Sequence, residues 1–271
     1  MNDPYLIKPD PENGLTTTKI KGVDAQGNAI DLFTVNERPL SVFLNNREIV
    51  TLMTVGDYPE LLGLGYLVNQ HMINDDDIIE MIEYDAEIET VVVRTERTTD
   101  YEEKLKRKIL TSGCGQGTVF GDIMDNLDDV HLPQNANLKT SDIAALLATI
   151  KATPSLYQKA GSIHACVLCK NATPLIYMED VGRHNALDKI AGYMYQHNMV
   201  GGDYVIYTTG RMTSEMVIKA VSMGIPILIS RSGATHWALE LAQKAGLSLI
   251  SRAKGKRFIA LCATERIIFD D

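Results

Sequence analysis

Cys114 stands in the segment TSGCGQGT, with glycines at 113, 115, 117 and 121 and no apolar residue within three positions of it. Glycine disfavours both helix and strand interiors, so the segment reads as a loop. A structural cysteine prefers apolar neighbours, and this one has none. It is placed as a reactive thiol would be.

A second concentration of chemistry lies where strands run into helices. In TPLIYMEDVGRHNALDKIAGY an apolar run leads into Glu179, Asp180, Gly182, Arg183, His184 and Asn185 before an amphipathic helix begins. Asp180 and Asn185 taken singly are ordinary cap and turn residues, but the run as a whole marks a strand-to-helix turn, where open α/β sheets bind ligands. The layout recurs at VIYTTGRMTSEM, with Gly210 and Arg211, and at ILISRSGATHWA, with Ser230. Helix N-termini flanked by Arg183 and Arg211 suit an anionic ligand such as a phosphate.

Two other patterns carry less. Cys166 and Cys169 form CxxC inside the apolar run IHACVLC. Residues three apart on a strand point to opposite faces, which makes these core residues and not a redox or metal pair. A zinc deaminase needs HxE and PCxxC. Here His164 is followed two places on by Cys166, and Pro226 by Ile227, so no zinc site is expected. Cys262, in FIALCAT, reads as a strand residue.

The elements that must hold these residues come in two textures. Up to about residue 130 the chain reads as short strands rich in Thr and Val (TTTKIKG, NAIDLFTV, RPLSVFLN, REIVTLMTV, EIETVVVRTE). One helix interrupts them, capped by Asp57 and running to His71, and its Gly63 and Gly65 predict close approach by another backbone. After the polar stretch HLPQNANLKTSD, helices and strands alternate, which predicts an α/β layered domain with a mostly parallel sheet. The expected division is a smaller strand-rich domain over 15–130 carrying the Cys114 loop, and an α/β domain over 140–271.

The 271 residues carry 26 Lys and Arg against 35 Asp and Glu, a net charge of −9. That balance disfavours broad nucleic-acid binding. The first twenty residues lack a secretory pattern and no window is apolar enough to span a membrane. Four cysteines without such a signal argue for reduced thiols, so a cytoplasmic protein without a membrane role is expected. The basic cluster SRAKGKRF stands out in this acidic chain.

EDVGRHNALDKIAGY, with TTGRMTSEMVIKA, GIPILISRSGATHWALELAQKAGLSLI, GSIHA and LGYLVNQHMI, resembles the FdhD family of formate dehydrogenase accessory sulfurtransferases. The resemblance implies a C-terminal domain similar to cytidine deaminases without their zinc. It implies a protein that takes sulfur from a cysteine desulfurase as a persulfide and passes it to the bis-molybdopterin guanine dinucleotide form of the molybdenum cofactor, which then serves formate dehydrogenase. It also implies a homodimer. Cys114 becomes the persulfide carrier. Gly182, Arg183, His184, Asn185, Gly210, Arg211 and Ser230 become cofactor-binding residues, and with them Arg252, Ala253, Lys254, Gly255, Lys256 and Arg257, which align with the family's basic cofactor-contacting segment. The chain departs from the family at Gly117, where well-known members have a second loop cysteine, and at Arg252, where they have an aromatic residue. Two other readings follow from the residues: a non-catalytic cofactor-binding chaperone in which Cys114 is incidental, and a nucleotide-dependent enzyme using Glu179, Asp180 and His184 for acid-base work.

Overall fold

The computed structural model describes residues 4–74, 76–96, 108–110, 117–119 and 132–270. The first part opens with a two-stranded ribbon, β1 (Thr17–Val23) and β2 (Ala29–Val35), turned by Asp24, whose carboxylate accepts the Gln26 and Asn28 amides. A four-stranded sheet follows: β3 (Arg38–Leu44), β4 (Arg47–Thr54), β5 (Ile79–Asp85) and β6 (Thr90–Thr95), in the order β4-β3-β6-β5. Alternation along β3 buries Leu40, Val42 and Leu44, and these meet Leu62, Leu64 and Leu67 of α1 (Pro59–Asn69) in one core. β5 is not evident from sequence, because its acidic run IEMIEYD resembles a polar connection. Backbone of 108–110 (β7) and 117–119 (β8) forms a short antiparallel ladder. Cys114, between them, lies outside the described residues.

The second part is a three-layer sandwich. Its sheet contains β10 (His164–Lys170), β11 (Thr173–Asp180), β12 (Val205–Thr208), β13 (Ile227–Ser230), β14 (Ser248–Lys254) and β15 (Arg257–Cys262), in the order β11-β10-β12-β13-β14-β15. A small parallel ladder joins β9 (Leu138–Lys139) to β16 (Ile267–Ile268). α2 (Thr140–Ala152) covers one face and the short α3 (Leu156–Ala160) sits at its rim. α4 (Arg183–Gln196), α5 (Ser214–Ser222) and α6 (His236–Ala245) cover the other. Cys166 packs with the α4 face and Cys169 with the α2 face, as the strand period requires. Burial pushes both thiols up, Cys166 to about 12.

The class is α/β, but the expected mostly parallel sheet is corrected to a mixed one. Within the six-stranded sheet only β12-β13 and β13-β14 pair in parallel, while β10-β11, β10-β12 and β14-β15 are antiparallel. The reason is the hairpin β10-β11, whose strands are joined by Asn171, at φ 51, and Ala172, and need no crossover helix. Two reversals still leave β11, β12, β13 and β14 running the same way.

The two parts meet where α1 crosses α4. A Cβ added to Gly65 would lie 1.7 Å from the Asp188 carbonyl oxygen, and one on Gly192 would lie 2.1 Å from that of Leu61. Only glycine allows this approach, which meets the expectation for Gly65. Asp57 does not cap α1. Tyr58 takes that place in a left-handed conformation, and the Asp57 carboxylate pairs instead with Lys189 of α4.

Candidate functional site

Because β11, β12, β13 and β14 run in one direction, their C-terminal ends share one edge of the sheet, and the antiparallel β10 begins there. His164 pairs with Asp180, Thr208 with Ser230, and the Arg252 amide donates to the Ser232 carbonyl at 2.8 Å. The strand ends quoted from sequence therefore lie side by side, and the β14-β15 hairpin continues past them.

Gly182 precedes α4, with its amide on Asp180 Oδ1 at 3.2 Å. Arg183 opens the helix and is buried beside Gly210, its Nε and Nη2 included. A Cβ at 210 would come within 2.7 Å of Arg183 Cδ, so Gly210 makes the room that Arg183 occupies. Arg211 is exposed on the same edge, and burial together with the Arg183 and Arg211 cations holds His164 below its usual value. Arg231, also exposed, faces the Tyr157 ring 5.9 Å away. Arg252 adopts φ 52 and is exposed, as are Lys254, Gly255 (φ 60), Lys256 and Arg257 of the hairpin. The edge thus carries the exposed cations Arg211, Arg231, Arg252, Lys254, Lys256 and Arg257, a charge suited to phosphate-bearing anions.

Other residues singled out from sequence have buried, committed side chains. Asn185 donates to Asp180 Oδ1 at 2.9 Å and to the Met53 carbonyl at 2.8 Å, tying the two parts together. Ser230 donates to the Gly210 carbonyl at 2.6 Å and accepts from the Ser232 amide at 2.9 Å, so it shapes two turns of the edge. Ala253 is 2% exposed and belongs to the core beneath α2. His184 lies 3.5 Å from Glu215, and burial first, then Lys219 and Arg183, hold it well below its ordinary value.

Two buried ion networks escaped the sequence reading. Lys189 lies 2.6 Å from Asp180, pairs with Asp57, and donates to the Glu179 carbonyl at 3.0 Å. Burial alone would lower its proton affinity, but Asp180 and Asp57 outweigh it and raise the pKa. One residue earlier, Asp188 receives Lys219 at 2.7 and 2.9 Å and Asn69 at 2.7 Å, with its own pKa pushed up to about 6 by burial. The only signal was the adjacent pair in ALDK, which reads as an exposed helix face. Glu179 accepts the Leu156 and Tyr157 amides at 2.8 and 3.0 Å, and burial raises it to about 7. Asp180 is thus tied into the Lys189 network, and His184 lies buried beside Glu215. No helix among the described residues is long and apolar enough to cross a membrane.

Known proteins share this architecture. A sulfur carrier protein FdhD of Bacillus subtilis (strain 168) is 30% identical over 235 residues, covering 86% of this chain and 89% of the relative. The protein of that name from Nocardia farcinica is 32% identical over 242 residues, covering 85% and 86%. A crystal structure of a putative formate dehydrogenase accessory protein from Desulfotalea psychrophila superposes with a TM-score of 0.73 at 25% identity, over 93% of this chain and 98% of that one. The model of the FdhD/NarQ family matches residues 35–268, and the chain belongs to that family.

Proposed function

We propose that this protein is a sulfur carrier for formate dehydrogenase maturation, and that it moves sulfur from a cysteine desulfurase to the bis-guanine-dinucleotide molybdenum cofactor. The observation that supports the reading is the shared sheet edge, whose neighbouring strand ends bear Arg183, Arg211, Arg231 and Arg252, with the 254–257 hairpin beyond them. A substrate with two pyrophosphates and two guanines needs several cations on one surface. The names of the curated relatives support the sulfur-carrying part.

In this reading the Cys114 thiolate attacks the terminal sulfur of the desulfurase persulfide. A new S–S bond forms at Cys114, the donor's S–S bond breaks, and the donor cysteine leaves as a thiolate. One thiol suffices for that exchange, so Gly117 in place of a second cysteine does not prevent it. Passing the sulfur on would break the Cys114 S–S bond and return Cys114 as a thiolate, the two electrons that turn sulfane sulfur into sulfide coming from a substrate whose metal arrives reduced and leaves oxidised by two. Cys166, Cys169 and Cys262 are buried and held in their thiol forms. They take no part.

The test is intact mass after incubation with a desulfurase and cysteine. Wild type gains one sulfur and Cys114→Ser gains none, while both bind GDP, a fragment of the substrate, equally. Arg183→Ala weakens GDP by about 1.5 to 3 kcal/mol through a lost charged hydrogen bond. Should Cys114→Ser support full client activity, the persulfide assignment falls and a cofactor-binding chaperone takes its place, a reading favoured by the single loop cysteine.

A further inference from the structure

β5 is an outer strand of the four-stranded sheet and, among the described residues, pairs only with β6. Successive residues of a strand point to opposite faces. Ile79, Glu80, Met81 and Ile82 all line one groove of about 1130 Å³, and the register shift between Ile79 and Met81 in the β5-β6 ladder lets neighbours of opposite pleat face it together. Among the described residues no second strand pairs with β5.

The far wall of the groove is rich in methionine. Its apolar part is made by Tyr195 of α4 and by Met199, Val200 and Met223 in the loops beyond, over the buried Ala191 and Met194, with Gln196, Asn198 and Ser222 among them. Val200 is 82% exposed and Ile78, at the mouth of β5, 58%. The Tyr195 hydroxyl lies 3.1 Å from the Asn74 carbonyl oxygen and 3.2 Å from that of Asp77, which fixes this wall against the segment leading into β5.

Charge divides the two walls. Residues 76–87 hold Asp76, Asp77, Glu80, Glu83, Asp85 and Glu87 with no Lys or Arg, and all of these but Asp77 are exposed. Residues 191–201 and 222–224 hold no Asp, Glu, Lys or Arg. A second copy of this chain pairing antiparallel through β5 would set like charges against each other, which destabilises a ladder. A strand bearing lysines would meet the opposite charge along the whole edge.

We propose that the β5 edge receives an extended, lysine-rich segment of a partner polypeptide as a further strand, with its apolar side chains against the methionine wall. Strand addition supplies backbone hydrogen bonds, and methionine packs against differing side chains. The groove would therefore read charge and alternation more than one sequence. This surface is separate from the arginine-bearing edge, so the proposal stands independently of the sulfur reading.

The experiment uses the full chain and two fluorescein-labelled peptides, one alternating Lys with Leu and the other Glu with Leu, followed by anisotropy. The Lys/Leu peptide binds, more weakly as salt rises, and the Glu/Leu peptide does not. The double variant Glu80→Lys/Glu83→Lys lowers affinity at least about tenfold. The equal charge change at exposed sites elsewhere, Asp31→Lys/Glu240→Lys, changes it no more than about twofold. Hydrogen exchange shows the amides of 79–85 protected by the peptide. Equal loss in both double variants, or no protection of β5, overturns the proposal, since binding would then follow net charge. It also falls if the wild-type chain takes no Lys/Leu peptide, and a dimer that Val200→Asp converts to a monomer in light scattering would then identify the groove as a self-interface.

Discussion

Lys189→Met is the sharpest test of how the halves are held together. Lys189 is fully buried, 2.6 Å from an equally buried Asp180, and also pairs with Asp57, which is 19% exposed. The methionine fills a similar volume, so packing changes little, but the Asp180 carboxylate loses its cation. It keeps the Thr54 hydroxyl at 2.5 Å, the Asn185 amide at 2.9 Å and the Gly182 amide at 3.2 Å. Breaking a buried pair costs about 3 to 5 kcal/mol, and these three donors place the loss at the lower end, about 3 kcal/mol. That is a large part of the roughly 5 to 15 kcal/mol by which domains are stable. Urea unfolding followed by far-ultraviolet circular dichroism measures it. Lys189→Met/Asp180→Asn removes the stranded charge and recovers most of the loss. A single variant costing under about 1 kcal/mol, or a double variant no better than the single, refutes the argument that Lys189 neutralises a buried carboxylate.

Three further outcomes follow from the same contacts. Gly210→Ala drives a methyl into the Arg183 stem and costs about 1 to 3 kcal/mol in the urea midpoint, with weaker GDP binding; unchanged GDP affinity would mean that the stem is not what Gly210 accommodates. The pKa of Glu179 in the folded chain is about 7, above its ordinary 4.5, so the folded state holds its proton longer and this group's contribution falls as pH rises between those values. Glu179→Gln flattens the urea midpoint against pH across that window, and an unaltered slope contradicts the assignment. Cys166→Ala costs about 1 kcal/mol of packing and leaves sulfur uptake on the intact protein unchanged by mass.

What sequence reasoning located, and what it missed, divides along a physical line. The opposite faces of Cys166 and Cys169, the close approach at Gly65 and the polar strand ends all follow from backbone periods or from glycine's missing side chain, which are local properties. The hairpin reversal at Asn171 and Ala172 is equally local but changes the pairing of the whole sheet, so alternation alone predicted too much parallel order. Asp57, Asn185 and Ser230 show the limit more plainly. Each has the residue type of a cap, and each spends its side chain on a group more than four residues away or on a neighbouring turn. Asp188 and Lys189 are the extreme case: charged neighbours on a helix predict a solvated face, and only a second helix laid across them at a glycine contact buries both.

That burial also decides how the arginine edge is set. The strand-end rule gives the location of Arg183, but three contacts fix the turn it springs from: Met53 to Asn185, Thr54 to Asp180, and Asp57 to Lys189. All three come from residues 53–57, at the end of β4 and the approach to α1. Cys114 also belongs to the first half of the chain. A displacement of α1 against α4 would therefore move the turn carrying Gly182 and Arg183. The edge proposed to bind anions is built by the second half and aimed by the first, so a substitution at Gly65 or Gly192, remote from every proposed contact with substrate, should weaken GDP binding together with stability, whereas Lys254→Ala on the exposed hairpin should weaken GDP binding and leave the urea midpoint where it was.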